Sequence, residues 1–472
     1  MTKVDQVIGL IRRSIDLGVY KKGEYLPSIR NMAGIVGVGI NTVYLAYCRL
    51  EKEGLVTAVE YRGFQVIDVG KASASDDRTQ TLTQLLTMTD LQYSHLVNSA
   101  DTSKVLIGSV QAQSPSFPSD GLSLHFARYI RSHADEINRY RYRSQLTGEP
   151  SRIGEETVKF MQQQCATSVS KEELIFTNGA TSGLLDVMRT LTRPGDTIVI
   201  EAPCHIGTLR NKTFLGLKSA PILSVSPDGF DVEEFQRRLD LDPAPACLVI
   251  IPNFSNPSGY TMPDENKRRV AELCREREIP IIEDGVQDSL YFTKNPPLTM
   301  KSIMPDDVIY VGSYTKNLAP GYWVGWIAGG KYTEDIRHTV TESSFVSPTM
   351  QQEAIASYLK TENITSYMRK YRKGLYENCR RMLELTQRHL PEGTVVHAPS
   401  GGQFLWVQFP QQVDCSALYS ICLEENILIA AGNLFADGNE FRNCMRLNYS
   451  MSIDKNIEET MKKIGTIASE QL

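Results

Sequence analysis

Four features of this 472-residue sequence have the residue types for chemistry, and each lies just after a run of apolar, β-type residues. The first is the small-residue turn Asn-Gly-Ala-Thr-Ser-Gly over 178–183, which follows Glu-Leu-Ile-Phe-Thr and opens a helical pattern over 184–189. A turn of this kind at a helix N-terminus aims backbone N–H groups and the positive end of the helix dipole at an anion such as a phosphate. Many βα loops share that composition, so the turn alone is a weak signal. The other three are side chains: Asn256 in PNFSNPSG, Asp284 at the end of IPIIE, and Lys316 in VGSYTK. Each has an ordinary role open to it. Asp284 can cap a helix, Asn256 can form a turn with Pro257, and Lys316 can be a solvated loop lysine. Taken singly, the ordinary role is the better one for all three.

The elements around them argue for taking them together. Apolar runs over 197–200, 247–251, 280–283 and 308–312 alternate with charged amphipathic segments. Repeated β-then-α with continuously apolar strands implies an α/β fold built on a doubly wound, mostly parallel sheet. In such sheets ligands bind beyond the carboxyl ends of the strands, where these residues lie. After about residue 365 a charged helix and the runs FLWVQF and MRLNYS imply a smaller α+β subdomain.

The length implies two or more domains. The nine cysteines are scattered, odd in number and without a Cys-x-x-Cys pair, which argues for free thiols in a reducing, cytoplasmic setting and against a zinc site. The seven histidines are equally dispersed, so no metal site is expected. No apolar stretch is long enough to cross a membrane, and the N-terminal pattern, amphipathic and containing acids, is unlike a secretory signal. Residues 1–70 carry a net charge of +2, so the remainder carries −7. A weakly basic head on an acidic body is compatible with nucleic-acid binding without establishing it.

Within that head, Val4, Val7, Ile8, Ile11 and Ile15 predict a helix over 4–17 closed by Gly18. Ser28 follows Pro27 as the N-cap of a second helix over 29–36, and Gly37 and Gly39 supply a tight turn. A third helix begins near Thr42, turns Val43, Leu45, Ala46 and Leu50 inward, and ends at Gly54. Two β-rich runs, 55–59 and 64–69, then flank the turn Tyr61-Arg62-Gly63. Three helices and a hairpin in this order describe a winged helix-turn-helix whose third helix enters the major groove. A small helical bundle for protein contacts is the competing reading. Residues 70–82 are small and polar, as a linker would be, and 83–97 can form a short helix. The division expected is a head over 1–70, a linker over 71–100 and a large domain over 101–472.

The text LPSIRNMAGIVGVGINTVYLAYCRLEKEGLV followed by YRGFQVI resembles the GntR-type DNA-binding domain. That resemblance implies DNA contacts from Ser28, Arg30, Asn41, Thr42, Tyr44, Arg62 and Gly63. Arg30 and Arg62 suit phosphates, Thr42 can donate to one, and Asn41 or Tyr44 can reach base edges. The chain departs from the family at Gly39-Ile40, where a Ser-Arg pair is common. From about residue 100 onward, the blocks TNGATSGLLDV, RPGDTIVIEAPCHIG, PNFSNPSGYTMP, IIEDG, VGSYTKNLAPGYWVGW, PSGGQFLW and MRLNYS resemble, in order and spacing, the fold-type I aminotransferases. The whole chain looks like the MocR/GabR type of regulator.

That second resemblance implies pyridoxal 5′-phosphate as cofactor. Lys316 would carry it as a Schiff base, Asp284 would pair with the pyridinium nitrogen, and Asn256 would donate to the ring oxygen. Ala180, Thr181 and Ser313 would hold the phosphate, and His205 would stack on the ring in place of the usual tyrosine. Arg446 would clamp the carboxylate of an amino-acid effector. Two departures bear on mechanism. Trp323 stands where relatives place a phosphate-binding arginine, and Val286 and Gln287 stand where they place a tyrosine. A binding domain with relaxed catalytic demands is therefore expected, with slow half-reactions at most. The alternatives are an active aminotransferase with a DNA-binding head, and a regulator whose domain senses another ligand. A homodimer on paired operator half-sites follows from the same resemblance.

Overall fold

The computed structural model describes residues 3–16, 20, 23–36, 38–59, 63–67, 90–111, 117–134, 152–225, 229–344, 349–438 and 440–472. The chain divides into two compact units, Met1–Gln84 and Leu85–Leu472. Gly18, Gly37, Tyr61, Arg62, the segment 70–82 and residues 83–89 lie outside the described residues, so the stop, turn, wing-tip and linker expected there are left as expectations.

The smaller unit contains helices α1 (Lys3–Asp16), α2 (Ile29–Val36) and α3 (Ile40–Lys52), then strands β1 (Val56–Val59) and β2 (Gly63–Val66) paired antiparallel. Its core joins Val7, Ile11 and Ile15 of α1 to Val43, Ala46, Tyr47 and Leu50 of α3 and to Phe64 of β2. The Ser28 hydroxyl accepts the Asn31 N–H at 3.2 Å, the N-cap bond that starts α2. Tyr47 donates its hydroxyl to the Pro27 carbonyl at 2.8 Å and meets Phe64 edge-on at 5.1 Å, so one aromatic side chain ties three segments. One inward assignment is corrected. Leu45 is 54% exposed, because α3 buries the face of 43, 46, 47 and 50 and Leu45 lies well off it.

The larger unit is built on an eight-stranded sheet. Its strands are β3 (Leu174–Asn178), β4 (Thr197–Ala202), β5 (Lys218–Val225), β6 (Gly229–Phe230), β7 (Leu248–Ile250), β8 (Ile281–Asp284), β9 (Val308–Ser313) and β10 (Val324–Ala328), in the order β3-β10-β9-β8-β7-β4-β5-β6. Neighbours from β5 through β4, β7 and β8 to β9 run parallel. The sheet is mixed at its margins, since β10 is antiparallel to both β3 and β9, and β6 to β5. The central strands are apolar on both faces, as two covering layers require. A second, antiparallel sheet of order β11-β12-β14-β13 comprises β11 (Val395–Val396), β12 (Phe404–Gln408), β13 (Ala430–Ala431) and β14 (Cys444–Asn448). Residues 105–108 lie along it, with Gly108 donating to the Leu428 carbonyl and Asn448 donating to that of Ile107. Among the described residues no helix is long and apolar enough to cross a membrane.

Candidate functional site

β3 ends at Asn178, and the chain turns at Gly179, whose φ of +81° suits glycine, into the helix Ala180–Leu191. No side chain caps that helix, so its first N–H groups are not satisfied by a cap side chain. The neighbouring strand presses close: a Cβ on Gly325 would lie 2.5 Å from the Gly179 carbonyl carbon and 2.7 Å from the Ala180 nitrogen. The absence of side chain at 325 thus sets the position of the turn. Asp284 is the last residue of β8, and one of its oxygens accepts the Val286 N–H at 3.2 Å. Lys316 lies three residues beyond β9, and Asn256 six beyond β7.

Strand order brings these ends together around one cavity of about 400 Å³. Ala180, Thr181, His205, Asn256, Asp284 and Lys316 line it, as do Trp323, Val286 and Gln287 at the positions where the chain departs from aminotransferases. Ser313 is placed differently. It is buried, its hydroxyl is occupied by the Thr315 hydroxyl and the Val324 carbonyl at 3.0 Å each, and Thr315 lines the cavity instead. Arg446 is also outside the lining, wholly buried on β14. Its guanidinium donates to the Asn256 side-chain oxygen and to the Gly108 carbonyl, both at 2.7 Å, between the rings of Phe404 and Phe435. Because Arg446 occupies that oxygen, Asn256 keeps its NH₂ for donation elsewhere.

Burial sets the electrostatics. It lowers the Lys316 amine to about 8, helped by the Arg446 charge and opposed by Asp284. It raises the Asp284 carboxyl to about 6, opposed by the Val286 N–H and Lys316. The amine, which donates to the Val110 carbonyl, is therefore partly neutral near physiological pH, the form in which an amine attacks a carbonyl. His205 is lowered to about 3, by burial first and then by Arg446, Lys316 and Arg210, so its ring is neutral. Its Nδ1 is buried without a partner. Arg446 itself is lowered to about 9 by burial.

Trp323 is 63% exposed, adopts a left-handed φ of +53°, and sets its indole 3.3 Å from where a Cβ on Gly179 would be. An apolar ring thus lies beside the helix N-terminus. Gln287 is buried and donates to the Phe254 carbonyl at 2.9 Å, while its side-chain oxygen has no partner. Sequence reasoning missed Thr315 as a lining group, the Gly108 and Val110 carbonyls as anchors, and Phe435. FLWVQF held a signal for Phe404, but a backbone carbonyl has none. Among the described residues, no three His, Cys, Asp or Glu side chains gather as a metal site would need.

In the smaller unit, Ser28, Arg30, Asn41, Tyr44 and Gly63 are exposed and Thr42 is half-buried, while Arg62 lies outside the described residues. Gly63 opens β2 with a φ of +103°, a left-handed value that suits glycine. Gly39 precedes α3 and gives it no side-chain cap, so the front of that helix offers free N–H groups to a phosphate.

Residues 145–464 match the family model for aminotransferase class I and II, and residues 3–66 match that for bacterial regulatory proteins of the gntR family. Two Escherichia coli (strain K12) proteins, both named uncharacterized HTH-type transcriptional regulators, are similar over the whole chain. YdcR is 27% identical, covering 100% of both chains, and YjiR is 28% identical, covering 98% of both. Among solved structures, a multiple substrate aminotransferase from Thermococcus profundus superposes with a TM-score of 0.74 at 21% identity, covering 82% of this chain and 96% of its own.

Proposed function

The chain belongs to the aminotransferase class I and II family and carries a gntR-family head, and from that premise we propose a DNA-binding transcriptional regulator that takes pyridoxal phosphate in the Lys316 cavity. The observation that carries the cofactor reading is a partly neutral amine and a carboxyl lining one cavity. The residues fit the group. The Ala180 helix N-terminus, cushioned by Gly325, suits the phosphate; the NH₂ of Asn256 suits a ring oxygen; and the flat, neutral ring of His205 suits stacking. Bound pyridoxal phosphate supplies an aldehyde that an amine can capture and a ring that accepts electron density.

The chain's own part is to bind and orient. Asp284 would set its carboxyl against the ring nitrogen, and Lys316 would hold the cofactor through its amine. Arg446 is the cation to which a carboxylate would answer, though reaching it requires loosening its bonds to Asn256 and Gly108. Trp323 removes one charge-assisted phosphate bond, worth roughly 1.5–3 kcal/mol and so about tenfold or more in affinity. Binding of an effector in the Lys316 cavity would be the event communicated to the head. A head of 1–70, a linker of 71–100 and a sensing domain of 101–472, acting as a homodimer, complete the proposal.

The test is an absorbance titration of cofactor-free protein with pyridoxal phosphate, beside Lys316→Ala. A visible band in the wild type alone supports covalent capture at Lys316; no band at saturation sinks the cofactor. In that event, exposed Trp323 favours a regulator whose large domain senses another ligand. Retention of Lys316, Asp284 and Asn256 together favours a second reading, an active aminotransferase with a DNA-binding head, which steady turnover of an amino donor and a keto acid would establish.

A further inference from the structure

We propose that the front half of α3 selects thymine-bearing base pairs by contact with the thymine methyl group, with Ile40 and Leu45 as the specificity-determining side chains and Asn41 beside them reading adenine. The proposal rests on the reading that the head binds duplex DNA, and it deepens that reading by naming the base chemistry.

The observation is the make-up of the outward face. Ile40 is 52% exposed, Tyr44 51% and Leu45 54%, three large apolar or aromatic side chains on a helix whose opposite face is wholly buried. They fall in two adjacent rows at helical spacing, 40-44-48 and 41-45, so one continuous surface carries them all. Asn41, also exposed, heads the second row beside Ile40. From Ile40 to Cys48 the helix bears no charged side chain; its cations, Arg49 and Lys52, come at its far end.

Guanine is read in the major groove chiefly by the paired donors of Arg or Lys on O6 and N7, and this surface has neither. Adenine presents N7 and N6–H₂, which the Asn41 amide matches with one acceptor and one donor. Thymine presents a methyl group, the apolar feature that an exposed isoleucine or leucine can cover. The helix start, with Gly39 at the cap position, leaves backbone N–H groups to fix the element on a phosphate. An apolar, amide-bearing front on such a helix fits A·T pairs in the half-site core and disfavours G·C.

The experiment is selection by the full-length protein from a randomised duplex pool, followed by affinity measurement on the selected site with each thymine replaced in turn by deoxyuridine. That replacement removes only the methyl. The expected result is an A·T core and one or two thymines whose replacement weakens binding about three- to fivefold each, the worth of one buried methyl. Ile40→Ala, at an exposed position, should abolish the penalty at one of those thymines and leave the other. Ile40→Arg should move the selected core toward G·C. A G·C core, or deoxyuridine that is neutral at every position, overturns the proposal while leaving DNA binding intact. A pool with no enrichment at all overturns DNA binding as well.

Discussion

Lys316 and Asp284 carry opposite ionisation strain, and its sign can be followed with pH. Asp284 is raised to about 6, so the fold favours its neutral form; that contribution is full below the ordinary carboxyl range and is lost as pH rises through about 6. Asp284→Asn should therefore gain stability over the wild type at pH 7, by up to about 3 kcal/mol, and show no such gain near pH 4. Urea unfolding of the cofactor-free protein at the two pH values measures it, and an equal difference at both would refute the assignment. Lys316 is lowered to about 8, so its contribution is full above the ordinary lysine range and is lost as pH falls through about 8. Capture of pyridoxal phosphate should accordingly speed up to about pH 8 and then level off. A rate still climbing steeply well above that would mean an unperturbed amine. These two residues and Asn256 were legible in the sequence because each follows an apolar strand run. The Arg446–Asn256 bond was not, because it joins positions 190 residues apart through sheets the sequence pattern does not align.

Among the elements, the parallel strands were readable from continuous apolar runs, whereas the antiparallel insertion of β10 between β3 and β9 was not. A strand buried on both faces has the same composition in either direction. That insertion has a consequence at Gly325, which β10 places against the phosphate-type turn at Gly179. Gly325→Ala would drive a methyl into backbone that cannot rotate away, costing on the order of 1–3 kcal/mol. Thermal unfolding should show the loss, and pyridoxal phosphate affinity should fall with it. Unchanged affinity in a destabilised protein would separate the turn from the cofactor. In the head, exposure of Leu45 and placement of Ser28 show the same division of legibility. The cap was plain from Pro-Ser before a helical run, but which of Leu45 and Tyr47 faces inward turned on the rotation of α3, fixed by the Tyr47 bond to Pro27. Ser28→Ala should cost about 1 kcal/mol in the head, read as a lowered unfolding temperature, and should leave the visible cofactor band intact.

For the molecule as a whole, the proposal requires the sensing domain to change what the head does, and linkage makes that measurable. If bound cofactor favours one DNA-binding state, DNA must favour cofactor binding by the same factor, typically about 5- to 150-fold. DNA affinity of the wild type should shift by such a factor on adding pyridoxal phosphate, and Lys316→Ala should show no shift while still binding DNA. Reciprocally, operator DNA should move the wild-type absorbance titration in the same sense and by the same ratio. Identical DNA affinities with and without cofactor, in protein that shows the visible band, would reduce the large domain to a scaffold. The homodimer enters through the operator. Two heads held in one assembly make binding of the second half-site effectively intramolecular, which raises avidity without new contacts. Footprinting should thus protect two related half-sites, each with the A·T core that the front of α3 selects. Protection of one isolated half-site at full affinity would leave the acidic large domain no role in operator choice, and with it would fall the dimer on which the coupling depends.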